Sequence, residues 1–343
     1  MLRNSERSTF KKCRFLWDIS YNRRLAPNVS QPALRFGTLV HSALALHYPV
    51  GKKRGKNPVT EFERLYQADL EESYEFGWRD EDGRWNDAGE LGVAMLTGYL
   101  GEYGNDDRWE VLVTEHPYRV VVMHPLCGIC QQEIYEGDCD AQCSGPKYVP
   151  WFAQTGVLDG VWKKLDEKRD YNIIVDHKTA KAISTRHLVM DDQAGSYWTW
   201  GYDSMIAEGL LKANVKLRGM MFNFLRKAIP DERPRNEAGH YLNKDGSVSK
   251  KQPSALFLRH YTFRDEFDRQ EQRRRAMGEY KEIEMIRAGK LAISKSPGQM
   301  TCSGCWLLDA CELHEVNGDW EEFLRQTTRL WNPYDAQEVM MGR

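Results

Sequence analysis

Residues 153–178 read AQTGVLDGVWKKLDEKRDYNIIVDHK, and this stretch decides how the chain is organised. It holds two strand patterns. In 153–165 a single carboxylate, Asp159, interrupts a run of apolar and small residues; in 171–178 the run YNIIV ends in Asp176, His177 and Lys178. A short continuous apolar run suggests a buried strand. Side chains two apart on a strand share a face, so Asp176 and Lys178 point the same way at its end. Burying unpaired charge is expensive, and phosphodiester hydrolysis supplies a reason for it. Two carboxylates, with the backbone carbonyl of His177 as a further ligand, suit Mg2+ or Mn2+. A lysine beside them can orient water and stabilise charge on a phosphate. A strand-end salt bridge is the plain alternative for a lone D-x-K triplet, and the second aspartate in a neighbouring strand weighs against it.

Working outward, residues 109–123 are rich in β-branched residues and predict one or two strands bent at Pro117; a further strand is expected over 215–225. Helices are expected over 8–20, from Thr38 as a cap through TLVHSALALHY, over 59–78, 87–103 and 185–212, and, strongly charged, over 264–289. Residues 229–253 are polar and read as a long loop or hairpin. Helices, a strand meander, then helix and strand again predict an α/β fold with one mixed sheet flanked by helices. Three stretches follow: 1–108, a helical part; 109–225, the core with a cysteine-rich insert at 124–146; and 226–343, carrying the loop, the charged helix and a cysteine cluster.

The chain has 343 residues, 41% hydrophobic and 29% charged, with a net charge of -2. It is therefore no basic nucleic-acid coat, and any DNA contact has to come from a local positive surface or from bound metal. Lys52, Lys53, Arg54 and Lys56 form one basic loop; Arg233, Arg235, Lys244, Lys250 and Lys251 surround another. Both read more simply as solvated surface than as tracks for a phosphate backbone. Trp198 and Trp200 read as core packing before base stacking. No membrane span and no apolar signal core is visible, so a cytoplasmic protein is expected.

In a reducing cytosol the eight cysteines are more naturally metal ligands than disulfides. Cys127, Cys130, Cys139 and Cys143 are spaced C-x2-C-x8-C-x3-C, which suits a zinc knuckle, with His124 as a substitute ligand. Cys302, Cys305 and Cys311 form C-x2-C-x5-C near the C-terminus, with Cys13 alone near the N-terminus. Disulfides remain the alternative for both sets, and zinc for the second.

These residues together resemble the RecB-like branch of the PD-(D/E)xK nucleases. His41 in FGTLVHSAL, Asp159 in GVLDG, Asp176 and Lys178 in VDHKTA, and Gln193 and Tyr197 in QAGSY follow the order of that family's motifs. The resemblance implies a restriction-endonuclease-like core, in which His41, Asp159 and Asp176 bind the metal and Lys178 is catalytic. Gln193 and Tyr197, on one helix face, would contact DNA or support the site. A histidine ligand shifts the preference toward Mn2+. Glu115, on the preceding strand, is left out of this set. The iron–sulfur members, found among helicase-associated and CRISPR-associated nucleases, imply a [4Fe–4S] cluster on Cys13, Cys302, Cys305 and Cys311 that staples the chain ends together.

The activity so implied is metal-dependent hydrolysis of DNA, as an exonuclease on single strands or duplex ends. With no helicase motif and no G-x-x-x-x-G-K-[ST], a stand-alone enzyme independent of ATP is expected. Analogy places it in phage-type recombination, replication or repair, in a bacterial host cytoplasm, with recombination or replication proteins as partners. The rivals are a non-catalytic DNA-binding or assembly subunit that keeps the fold, and a nuclease for RNA or branched DNA.

Overall fold

The computed structural model describes residues 1–28, 32–75, 78–81, 83–127, 146–165, 171–231, 233–252 and 254–335. Its strands are β1 (Leu2–Arg3), β2 (Leu25–Pro27), β3 (Trp109–Cys127), β4 (Pro146–Lys164), β5 (Tyr171–Ala180), β6 (Lys216–Arg226), β7 (Phe257–Phe263) and β8 (Thr328–Leu330). Its α-helices are α1 (Asn4–Lys12), α2 (Arg14–Trp17), α3 (Pro32–His47), α4 (Pro58–Glu75), α5 (Arg84–Tyr103), α6 (Asp192–Ser196), α7 (Tyr202–Ala207), α8 (Glu266–Arg287), α9 (Gln299–Cys302), α10 (Leu308–Glu315) and α11 (Trp320–Thr327). None of the described helices is long and apolar enough to cross a membrane.

Six strands form one mixed sheet, as the sequence predicts. β5 and β6 run parallel, whereas β3 with β4, β4 with β5 and β6 with β7 are antiparallel. β3 covers one edge of β4. The other edge is divided: β1 pairs with it at Gln154 and Thr155, and β5 at Gly160–Lys163. Between those stretches β4 and β5 part, and the fork opens at Asp159.

Strand alternation assigns the two faces. Ile174, Met220, Phe222 and Phe224 join a core with Tyr197, Met205, Ala276 and Ile283 from the α6–α8 side. Ile173, Val175, Met221 and Leu225 join the opposite core with Val40, Phe62, Leu96 and Tyr99 from α3, α4 and α5. Burying each such side chain is worth about 1.5–3 kcal/mol, so the three apolar residues of β5 pin its register. A third core, of Phe15, Leu16, Ile19, Leu307, Ala310 and Leu324, joins the N-terminal helices to α10 and α11, and β2 pairs with β8 beside it.

Several local expectations differ from the structure. Thr38 is not a cap: α3 starts six residues earlier, and the Thr38 hydroxyl donates to the Leu34 carbonyl at 3.2 Å. β3 runs through Pro117 without a break, its register shifts lying at Val111/Val113 and Val122/Met123. Pro117 is tolerated because β3 is an edge strand that needs no donor there. The N-terminal helix breaks at Cys13, whose φ of -164° and ψ of 121° are extended. The helix expected over 185–212 is in pieces: α6, a π-turn at Tyr197–Gly201, then α7. β7 is a strand where none is expected. Of the zinc set, Cys130, Cys139 and Cys143 lie outside the described residues, and Cys127 ends β3.

Candidate active site

The fork between β4 and β5 collects the residues singled out above. His177 lies just beyond the last rung that β5 makes with β4, Gly160↔Val175. Its backbone N–H, without a strand partner on that side, donates to Asp159 Oδ2 at 2.7 Å. His41 approaches from α3, with Nδ1 3.3 Å from the same oxygen.

Asp176 and Lys178 share the face toward α6, as the period of two requires. Lys178 Nζ lies 2.8 Å from Asp176 Oδ2 and donates to Gln193 Oε1 at 2.6 Å; Gln193 Nε2 in turn donates to the Tyr197 hydroxyl at 2.7 Å. Gln193 and Tyr197 therefore brace the lysine. Apart from the lysine contact, both oxygens of the Asp176 carboxylate are buried with no hydrogen-bond partner. Such an orphan is costly, and a cation would complete it.

His177 points to the other face. Asn223 Nδ2 donates to its Nδ1 at 2.7 Å and to the Tyr99 hydroxyl at 2.8 Å. Burial, against an opposing pull from Asp159, pushes the imidazole pKa down to about 3, so the ring is a neutral wedge under the strand. Its carbonyl, not its ring, is the part available to the fork.

Glu115, left out of the set on sequence grounds, is brought into it by the structure. Thr114 pairs with Gly160 and His116 with Leu158, which sets Glu115 opposite Asp159. Its φ of +40° is unusual for a non-glycine residue. Among the described residues, His41, Glu115 and Asp159 form the one set whose ligand atoms lie within 4.8 Å of one another. Like charges directly across a sheet repel. Burial first, then Asp159 and Asp176, raise the Glu115 carboxyl to about 8. Burial likewise raises Asp176, against the pull of Lys178. Burial alone would lower Lys178, but Asp176 and Asp191 outweigh it and hold the ammonium above its usual range. Three carboxylates around one lysine therefore lack positive charge. One imidazole and two carboxylates, those of His41, Glu115 and Asp159, make a donor set that fits a divalent cation of the Mn2+ or Mg2+ kind; Asp176, expected from the sequence to join it, lies outside that set, buried beside Lys178.

The cleft over this set is about 900 Å³; Asn4, Ser5, Thr38, His41, Glu115 and Asp159 contribute polar groups to its lining, and Arg3 and Lys227 add positive charge. Burial and the neighbouring Lys181 lower the Lys227 ammonium.

The four remaining cysteines meet far from one another in sequence. Cys13, Cys302, Cys305 and Cys311 line a single cavity of about 330 Å³, with Phe15, Leu16, Leu307 and Leu308. All four are free thiols, and burial raises the pKa of Cys305 and Cys311.

A family model described as the PD-(D/E)XK nuclease superfamily matches residues 4–312. No curated protein matches the chain. A solved structure from Eubacterium rectale, provisionally described as an exonuclease, aligns at 11% identity over 99% of this chain and 93% of its own, with a TM-score of 0.41.

Proposed function

Because the chain belongs to the PD-(D/E)XK nuclease superfamily, we propose that it is a metal-dependent deoxyribonuclease that acts as an exonuclease on single-stranded DNA or duplex ends. The observation that carries this reading is the set His41, Glu115 and Asp159 at the fork, with the buried Asp176–Lys178 pair on the neighbouring strand. His41, Glu115 and Asp159 would hold a divalent cation, with Asp176 and the His177 carbonyl as the further ligands, and the ion would supply the Lewis acidity and the acidified water that phosphodiester hydrolysis needs. Lys178, braced by Gln193 and Tyr197, orients the attacking water and offsets charge on the phosphate. Arg3 and Lys227 at the cleft rim are suited to the flanking phosphates. A non-catalytic clamp would have no use for His41, Glu115 and Asp159 gathered within ligand distance of one another, which favours the enzyme.

The cysteine cavity is assigned to a [4Fe–4S] cluster on Cys13, Cys302, Cys305 and Cys311. What supports this is that the four cysteines, drawn from the two ends of the chain, line one cavity of about 330 Å³. Zinc on Cys127, Cys130, Cys139 and Cys143 is supported by their spacing, C-x2-C-x8-C-x3-C. The three stretches 1–108, 109–225 and 226–343 then serve as histidine-bearing helical part, catalytic core and cluster-bearing end. The setting we assign is DNA recombination, replication or repair in the cytoplasm, of phage type.

The deciding experiment is cleavage of end-labelled single- and double-stranded DNA with Mn2+ or Mg2+, on protein prepared without oxygen, beside Asp176→Ala. Metal-dependent degradation by the wild type alone is expected. Iron-loaded wild type that binds DNA but cuts nothing under any metal overturns the enzyme in favour of the clamp.

A further inference from the structure

Lys178 is aimed by Gln193, so the placement of α6 decides where the lysine sits. α6 is five residues long and runs directly into the π-turn. A helix so short has almost no stability of its own, and its position depends on what holds it. Asp191 caps it by accepting from Ala194 N at 2.8 Å. From α8, Gln272 Nε2 donates to the Asp192 carbonyl and to Ser196 Oγ, both at 3.1 Å. Gly195 makes room for that approach, since a Cβ there would lie 2.4 Å from Gln272 Oε1.

The third hold comes from α1. Arg7 is fully buried. Its Nη1 donates to Ser196 Oγ at 3.1 Å, its Nη2 to Asp192 Oδ1 at 3.3 Å, and its Nε to Glu279 of α8. Lys11, one turn on, pairs with Asp192 and Glu279, and Arg275 reaches within 3.6 Å of Asp192. Burial would raise the Asp192 carboxyl, yet Arg7 and Lys11 outweigh it and hold it below its ordinary value. A buried ionic network of this kind is a poor source of stability compared with apolar packing. The planar guanidinium instead ties three groups at fixed angles, and two of them flank Gln193 on α6.

We propose that Arg7 is a positioning residue for the reaction: through Asp192 and Ser196 it fixes α6 so that Gln193 holds Lys178 at the cleft. The proposal rests on the nuclease reading above. It differs from a merely structural role in one respect, namely that its effect on rate passes through Gln193.

A double-mutant cycle reads that route. Arg7→Lys keeps the charge and loses the fork. Its single-turnover cleavage rate should fall about 10- to 100-fold, the scale of a misplaced catalytic group, with DNA affinity unchanged. In a Gln193→Ala background the same substitution should cost nothing further. Asp192→Asn should show the same pattern and carries the cycle if Arg7→Lys does not fold. Wild-type rates in Arg7→Lys, or losses that multiply with that of Gln193→Ala, overturn the role while leaving the nuclease intact. Wild type that cuts no DNA under any metal removes the nuclease reading, and this role with it.

Discussion

Replacing Glu115 by Gln should make the metal-free protein more stable and metal binding weaker. The carboxyl is raised from 4.5 to about 8 by burial and by Asp159 and Asp176. Below pH 4.5 it is protonated in both folded and unfolded chains and contributes nothing to the pH dependence. Between 4.5 and about 8 the unfolded chain has released the proton and the folded chain retains it, so stability falls by about 1.4 kcal/mol for each pH unit. At pH 7 the upper bound is about 3 kcal/mol; Glu115 is only part-buried in an open, hydrated cleft, and screening leaves about 1–2 kcal/mol. Gln has the same shape and no such penalty. The assay is thermal unfolding of wild type and Glu115→Gln from pH 5 to 9, in chelator and in Mn2+. In chelator the variant should melt a few degrees higher at pH 7–8, and its advantage should vanish toward pH 5. In Mn2+ the wild type should gain stability, increasingly as pH rises, because binding displaces the protons on Glu115 and Asp176; the variant should gain little. A variant less stable in chelator and equally stabilised by Mn2+ would refute the placement of Glu115 at the metal.

Further outcomes follow from the same geometry. Lys178→Ala should lower the cleavage rate by about 10²–10³ without loss of metal-induced stabilisation, because the lysine is not a ligand; activity and melting curves in parallel check this. Lys227→Ala should weaken DNA binding and reduce its salt slope by about one, measured by titration at several salt concentrations; an unchanged slope would remove it from the phosphate path. Cys305→Ser should lose iron and its visible absorbance, and lower stability on the order of the 2–5 kcal/mol typical of a lost native cross-link, since the cavity joins the N-terminal helices to α10; full iron content and an unshifted melting curve would count against the cluster assignment.

What local pattern could reveal, it revealed. The apolar run at 171–175 identified β5 as buried, and the period of two placed Asp176 and Lys178 on one face, where the structure has them 2.8 Å apart. The order His41, Asp159, Asp176, Lys178, Gln193, Tyr197 was readable without coordinates, as were α4, α5 and α8 to within a few residues at each end. Glu115 was not, because its role depends on register. One residue of slip between β3 and β4 would turn it away from Asp159, and the segment joining those strands carries no signal that counts residues across the hairpin. The strand β7, FLRHYTF, was hidden by its charges: Arg259 is accommodated in the interior by its pairing with Asp106 and by the Tyr103 ring beneath it. The broken helix at Tyr197 and the hold of Arg7 on α6 arise from α1, α6 and α8 meeting in space, with up to 272 residues between partners. Periodicity is a property of neighbours along the chain and reports which face is apolar. Which charges meet across that face is decided by packing, and so the place of Glu115 beside His41 and Asp159, with the hold of Arg7 on α6, belonged to the tertiary structure alone.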